Sequence, residues 1–553
     1  MPQKPVFSRP PILTVPHCFP AAGTVRSMDE RITRLYEKAC KYLDRPILWE
    51  GLFKVACLVK NKPAEEPVGR MIRNMIAETE SGAFSGTIFE QICVARAAMS
   101  LFEYSAERTI LKRISGWLRY IEIEWDDLII RDGILYRPAD LMELLVRYYL
   151  ASGTKSSLRL CARLRAESFD WTTALHTFQQ TIPIRSEKEN NDYGFPSVKP
   201  EEIDYTQKEK LINHSEMLAD GVRYTLYAGL FSGHRQDLSA GKTVWSQLIR
   251  HHRALCGGTT GDPFLSGNAA DQPVNNMSLA AWTEAFGAQM ILPDFPWAAD
   301  EMIRIIRNGL DDCLSRNEEY RTQRVNTIRE TREAVTDPAA WFARMTRAVS
   351  AAYRYAVSLT EKGLRINYTM PGKYLFMSRK QPLILRMDSH AVCFQCKEPV
   401  SVPLEIYLSP LCSYSVRTIR DRQDSGFFSQ EERNSCCILT DAEWHDQDRV
   451  LFDPDEKILC EDTHHQGAAF IKSGRLLCMP SDSEGFARAV CGHPACKDDR
   501  IVVYTAKAEK WRIRNDQPAD IPVLPDIKEE PVLTVLKYYS DCPFRITMFP
   551  RAK

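Results

Sequence analysis

Up to about residue 362 the apolar positions recur three or four apart, and beyond it short β-branched and aromatic runs alternate with turns. Segments 28–44 and 47–78 predict a first pair of helices, with Pro46 and Pro63 breaking the pattern. Further pairs cover 85–125, divided near Ser105, and 138–168, turning at Ala151-Ser152-Gly153. Another covers 214–254, turning at Phe231-Ser232-Gly233-His234, and a fifth covers 277–315, turning at 292–296. A last helix is predicted over 339–362, with the charged segment 316–335 as its partner. Six hairpins of roughly 40 residues each predict an (α/α)6 barrel, in which every pair buries its apolar face on its neighbours.

The boundary is expected at Glu361-Lys362-Gly363, where a glycine suits a left-handed helix cap. This division gives an irregular segment 1–27, a helical barrel 28–362 and a second domain 363–553. Strands are predicted there at 363–368, 383–387, 400–407, 414–419, 449–452, 468–472, 501–505 and 532–538. Short strands with regular turn signals point to an antiparallel β-sandwich. The loop 184–210, rich in charge, Asn, Gly and Pro, interrupts the helices, either as cover for one end of the barrel or as a solvated excursion. In the first case Tyr193 and Phe195 line the mouth.

Charge narrows the function classes. The chain has 72 basic and 72 acidic residues, so it carries no basic excess to spread along a nucleic-acid backbone. No run of about eighteen apolar residues occurs, so no membrane-spanning helix is expected. The first twenty residues are broken by proline and carry no apolar run of leader length, so a cytoplasmic protein with reduced thiols is expected. Ten of the 17 cysteines lie between Cys393 and Cys542. Cys393 and Cys396 have CxxC spacing, but 391–395 reads as a strand, which turns alternate side chains to opposite faces. Cys436-Cys437, Cys491 and Cys496 likewise read better as sheet-core thiols than as zinc ligands.

Four segments resemble glycoside hydrolase family 127, the β-L-arabinofuranosidase-like enzymes. They are HSEMLADGVRYTLYAGLFSG (214–233), GGTTGDPFLSG (257–267), GLRINYTMPGKY (363–374) and VLKYYSDCPFRITMF (535–549). The resemblance implies the barrel-plus-sandwich fold and a sugar-binding role for His214. That family holds zinc through Glu-x-Cys and Cys-Cys pairs and uses one cysteine as nucleophile. At the matching positions this chain has Asn276-Met277-Ser278 and Thr336-Asp337-Pro338. The family's acid/base glutamate falls at Pro263, directly after Asp262, and its early Gly-His becomes Gly86-Thr87. The zinc–cysteine site is therefore expected to be lost, leaving neither metal nor cofactor.

Asp262, His214 and Glu284 are the catalytic candidates, with Glu216, Asp271 and Asp337 as further carboxylates. A glycosidase needs two such groups at a defined separation. Candidates for holding a small-molecule substrate are His252, Trp282, Tyr224, Asn276 and Ser278, with Trp245 and His251 beside them. Each has a plainer reading: Asp262 as a turn residue, His214 as a helix-start residue, Glu284 as an exposed helix carboxylate, the aromatics as core. Three functions are compatible with these residues. The first is hydrolysis of a small glycoside by an altered, non-zinc site. The second is a barrel repurposed as a lyase, isomerase or cyclase, and the third a catalytically silent sugar-binding relative.

Overall fold

The computed structural model describes residues 19–550 apart from the segments 21–29, 182–207, 325–334 and 508–531 and several shorter breaks. Six long buried helices form an inner ring. They are α1 (Trp49–Val59), α2 (Ile88–Ser105), α3 (Ala139–Ser152), α4 (Ser215–Ser232), α5 (Asn276–Gln289) and α6 (Pro338–Arg354). Each packs on the next and α6 packs on α1, so the ring closes. The local sequence sets the helix limits. Thr87 and Glu90 form a reciprocal capping box at the start of α2, with Thr87 N donating to Glu90 Oε2 at 2.8 Å. Gly153 and Gly233 end α3 and α4 in the left-handed conformation.

The outer helices are Glu30–Ala39, Pro67–Ala77, Arg108–Ile123, Lys155–Glu167, Arg235–His251 and Pro296–Arg304. Their order corrects the expected pairing. Segment 316–335 was expected to supply the partner of α6, but Thr322–Arg324 is a strand, paired with Pro273–Asn275. The helix Glu30–Ala39 packs instead on both α6 and α1. The barrel is thus closed by joining the beginning of the helical region to its end.

The last helix also stops earlier than expected, at Arg354. Val357–Thr360 is already a strand, antiparallel to Gly363–Ile366. Asn367 Nδ2 fastens this corner by donating to Tyr355 O and Ser358 Oγ, both at 2.7 Å. Gly363 is no helix cap but opens a strand, with φ +145° and the carbonyl of Pro403 where a Cβ would stand.

Beyond the barrel, a seven-stranded and a five-stranded sheet make the sandwich, with a further six-stranded sheet from Ile458–Asp462 onward. The described pairs are antiparallel except Leu404–Tyr407, which runs parallel to Gly363–Ile366. Within the sandwich Phe394 stacks on Trp444 at 4.0 Å.

Candidate functional site

The inner helices carry ionisable residues at helical spacing on the face toward the barrel axis. They are Glu50 and Lys54 on α1, Arg96 and Glu103 on α2, and Asp140, Glu143 and Arg147 on α3. The ring continues with Glu216, Asp220 and Arg223 on α4, Glu284 on α5, and Arg344, Arg347 and Arg354 on α6. Residues three or four apart share one helix face, so α1, α3, α4 and α6 each contribute a polar stripe, while α2 adds Arg96 and Glu103 two turns apart and α5 the single Glu284.

These side chains bind one another across the barrel. Glu50 accepts from Arg96 Nε at 2.6 Å, Arg147 Nη1 at 2.8 Å and Lys54 Nζ at 2.7 Å. Arg147 grips Glu103 with two parallel bonds of 2.9 and 3.0 Å. Arg223 Nη1 donates to both Glu143 and Glu284 at 2.9 Å, and its Nη2 reaches Asp220 at 3.1 Å. Asp140 sits at the hub, bonded to Arg96 and Arg223 and to Arg347 Nη2 at 3.0 Å. Arg347 continues to Glu284 at 2.5 Å.

Electrostatics follow from this geometry. Burial pushes the carboxyls of Glu50, Glu103, Asp140, Glu143, Glu216 and Asp220 upward, but the surrounding guanidiniums reverse the sign. Glu143 and Asp220 come down to about 2, and Glu50 and Asp140 lie well below the usual carboxylate range. Lys54 is lowered by burial to about 8, with Glu50 partly opposing the shift. The free volume among these groups is small. A cavity bordered by Lys54, Glu143, Tyr227 and Arg354 holds about 30 Å³, far below the about 300–1,000 Å³ of small-molecule sites.

The inner-helix N-termini form the other end of the axis. There Arg344 binds Glu216 at 2.5 Å and Asp220 at 2.9 Å through one nitrogen. Asp140, Glu216 and Asp220 keep 19, 13 and 11% side-chain exposure, so this end of the lattice is reached by solvent. His214 caps α4, its Nδ1 accepting from Met217 N at 3.4 Å, which places the proton of the neutral ring on Nε2. Burial lowers its pKa to about 4 despite Glu216 nearby. The loop of Asp262 lies against it: Ser215 N donates to Pro263 O, and Leu265 N to Asn213 O, both at 3.0 Å. Asp262 Oδ1 itself accepts from Asn275 Nδ2 at 2.6 Å and Arg321 Nε at 3.0 Å. Gly261 permits this path, with φ +134° and the carbonyl of Phe264 occupying the place of a Cβ.

The structure therefore brings His214, Glu216 and Asp262 to the N-terminal end of the barrel and sets Glu284 within the ionic lattice. The remaining residues named from sequence lie elsewhere. Trp282 is fully buried in an aromatic cluster with Phe286 and Trp245, and its Nε1 donates to Thr259 Oγ1 at 3.1 Å. Tyr224 points to the outer layer, its hydroxyl 2.7 Å from Ser168 Oγ, and burial pushes its pKa up to about 12. His252 is fully buried between Gln180 O at 3.0 Å and Gly267 N at 3.2 Å, while its neighbour His251 is only partly covered. Asp337 caps α6 by accepting from Ala340 N at 3.2 Å. Asp271, Tyr193, Phe195 and the side chains of Cys436, Cys437, Cys491 and Cys496 fall outside the described residues.

Asn276 is held by Tyr320 O and Gln323 Nε2, both at 2.8 Å, and accepts from Cys313 Sγ at 3.1 Å. The Ser278 hydroxyl is buried on the same helix. An amide, a hydroxyl and a capping carboxylate do not fit a thiolate zinc centre, which needs soft anionic sulfur. Cys393 and Cys396 have separate partners, Gln447 Oε1 at 3.6 Å and Trp444 O at 3.5 Å. Among the described residues no group of three or more His, Cys, Asp or Glu side chains is placed to hold a metal, and no helix is long and apolar enough to cross a membrane.

No family model and no curated protein matches the chain. Solved structures do. A glycoside hydrolase superimposes with TM-score 0.68 at 11% identity, over 95% of both chains. A GH127 β-L-arabinofuranosidase from Geobacillus stearothermophilus T6, Ara127N, gives 0.61 at 12% identity, over 94% of this chain and 91% of the other. The GH127 β-arabinofuranosidase BT3674 gives 0.61 at 10% identity, covering 98% and 97%. The chain has the GH127-like fold of a helical barrel followed by a β-sandwich, and at such identities the likeness is one of fold.

Sequence reasoning missed the lattice apart from Glu284 and Glu216. The signal was present: 140, 143 and 147, or 216, 220 and 223, are charged residues at helical spacing inside otherwise apolar helices.

Proposed function

We propose that this chain is a non-hydrolytic carbohydrate-binding relative on a glycoside hydrolase fold, with a small polyhydroxylated ligand taken at the N-terminal end of the barrel. One observation carries the reading. The axial carboxylates are tied to guanidiniums, and those of Glu50, Asp140, Glu143, Glu216 and Asp220 are held below their ordinary range. Glycoside cleavage by a carboxyl pair needs one acid that stays protonated at working pH. Asn276, Ser278 and Asp337 supply no thiolate zinc centre in its place.

What remains at the mouth suits hydrogen bonding to hydroxyls. Arg344 and the His214 ring present donors, and Glu216, Asp220 and Asp262 present acceptors. Arabinofuranosides, the substrates named for the two GH127 structures, belong to this class of ligand.

The test is a panel of aryl glycosides, β-L-arabinofuranoside included, together with thermal-shift titration of the free sugars. The expected result is binding without aglycone release. Release that disappears in Glu216→Gln would establish an altered hydrolase, the reading favoured by the solvent access of Glu216 and Asp140.

A further inference from the structure

The small cavity bordered by Lys54 and Arg354 lies toward the C-terminal end of the axis, where α5 and α6 finish at Gln289 and Arg354. Ser350, Ala351 and Tyr355 border it on the α6 side and Ala288 on the α5 side. Arg344 and His214 belong to the opposite end, so a ligand here is independent of one taken at the barrel mouth.

Arg354 is the exception in the ionic lattice. Arg96, Arg147, Arg223, Arg344 and Arg347 each hold a carboxylate within 2.9 Å. Among the described residues Arg354 makes no hydrogen bond or ion pair, and its Nε is buried without an acceptor. Its guanidinium stands 5.7 Å from the Tyr355 ring centre. Glu103 acts on it only at longer range, because Arg147 takes both oxygens of that carboxylate, at 2.9 and 3.0 Å. A buried cationic donor in this condition is costly unless an acceptor reaches it.

The surroundings add donors. Arg223 lines the same cavity, and its Nε is also buried without an acceptor. Lys54 Nζ gives one of its three protons to Glu50 Oε1, at 2.7 Å. The hydroxyls of Tyr227 and Tyr355 are hydrogen-bonded to one another, which leaves one O–H to donate elsewhere. The acceptors nearby are engaged. Glu143 binds Arg223 at 2.9 Å, and Glu284 binds Arg347 at 2.5 Å with its second oxygen turned toward Arg344 at 3.7 Å. The carbonyls that end α5 and α6 are capped, Met290 O by Arg365 Nη2 at 2.5 Å and Tyr355 O by Asn367 Nδ2 at 2.7 Å.

We infer that this end of the barrel binds a single halide ion, chloride being the biological case, held between Arg354 and Lys54. The volume of about 30 Å³ exceeds the about 10–15 Å³ that one water needs, so it admits a monatomic anion and excludes sulfate, phosphate and organic acids. A spherical ion has no preferred bonding direction, which suits donors arriving from separate helices. A water molecule would satisfy the same donors but would not balance the guanidinium charge. Lys54 keeps 19% side-chain exposure, which gives the ion a route from solvent.

The chloride NMR linewidth of sodium chloride mixed with the full chain tests this. Protein-dependent broadening is expected, removed along a saturating curve by sodium bromide and left in place by sodium gluconate at the same ionic strength. Arg354→Gln is expected to weaken chloride at least about tenfold, through loss of a charge-assisted hydrogen bond. Lys54→Met gives the same reading if the first variant does not fold. Absence of bromide-sensitive broadening would overturn the inference and leave water as the occupant. Equal displacement by gluconate, or unchanged chloride affinity in the folded variants, would overturn it as well.

Discussion

Replacing Arg223 by methionine tests the ionic lattice where it is most densely connected. Arg223 touches Asp140, Asp220, Glu143 and Glu284, and its side chain is 2% exposed. Methionine fills much of the volume but leaves these carboxylates with one cation fewer. Breaking a buried pair from one side costs about 3–5 kcal/mol, most of it from the stranded charge. The pH dependence separates this cause from simple loss of packing.

In the unaltered chain Glu143 and Asp220 titrate at about 2 when folded, against about 4 when unfolded. Their contribution to stability is therefore complete above about 4 and is lost as pH falls toward 2. In the variant the upward push of burial is opposed less, so at least one carboxyl is raised above its unfolded value. Its penalty is largest near neutrality and shrinks as it takes up a proton. The stability gap between the two proteins should therefore narrow as pH falls from 8 to 5, by up to about 1.4 kcal/mol per pH unit for each raised carboxyl. Urea-unfolding midpoints across that range measure it. A gap below about 1 kcal/mol at pH 7 that does not change with pH would refute the assignment of the lattice as a structural ionic core.

Other consequences are separately measurable. The imidazole of His214 is lowered by burial to about 4, so its ring protons should show no titration in NMR above pH 5; a midpoint near 6.5 would place it in solvent. Because this folded pKa is depressed, the histidine's contribution is complete above about 6.5 and is lost as pH falls toward 4. Trp282→Ala should cost about 3–5 kcal/mol in urea unfolding as a core truncation; a loss of sugar affinity at unchanged stability would instead make it a stacking platform. Gly261→Ala forces a side chain into a left-handed position against Phe264 and should lower stability by about 1–3 kcal/mol, read as a fall in melting temperature. Arg545→Met removes the 2.8 Å bond to Asp312 and the contacts to Tyr539 O and Cys542 O, and should make the C-terminal segment the first site of limited proteolysis.

The fold was legible in the sequence because period and punctuation agree. Glycines at 153 and 233 and the capping pair Thr87 and Glu90 end or begin helices where the apolar repeat does. The limit of α6 was less legible. Ala-Val-Ser-Leu-Thr at 356–360 continues the apolar pattern, and its strand character comes from tertiary partners, Gly363–Ile366 and Asn367. The same holds for the outer partner of α6, since a helix some 300 residues upstream leaves no local trace.

The site was legible only in part. His214 and Asp262 stand out through a helix start and a glycine turn, and both reach the barrel mouth. Trp282 and Tyr224 are aromatic residues on inner helices, and a single helix sequence does not tell which side faces the axis. The axial residues are charged, and charge inside an apolar helix reads as solvent exposure unless all six helices are compared. Cross-barrel pairing turns those stripes into an interior.

The seam between Glu30–Ala39 and α6 bears on how the protein is made. During synthesis the apolar faces of the first two helices wait for a partner that leaves the ribosome roughly 280 residues later, about 15–60 s at ordinary elongation rates. Through that interval the ring is an open arc with adhesive ends, and Glu50 and Arg96 are half of an ionic interior not yet enclosed. Emergence of 338–354 is the event that completes the circle, so a nascent chain stalled before it should remain a client of holding chaperones.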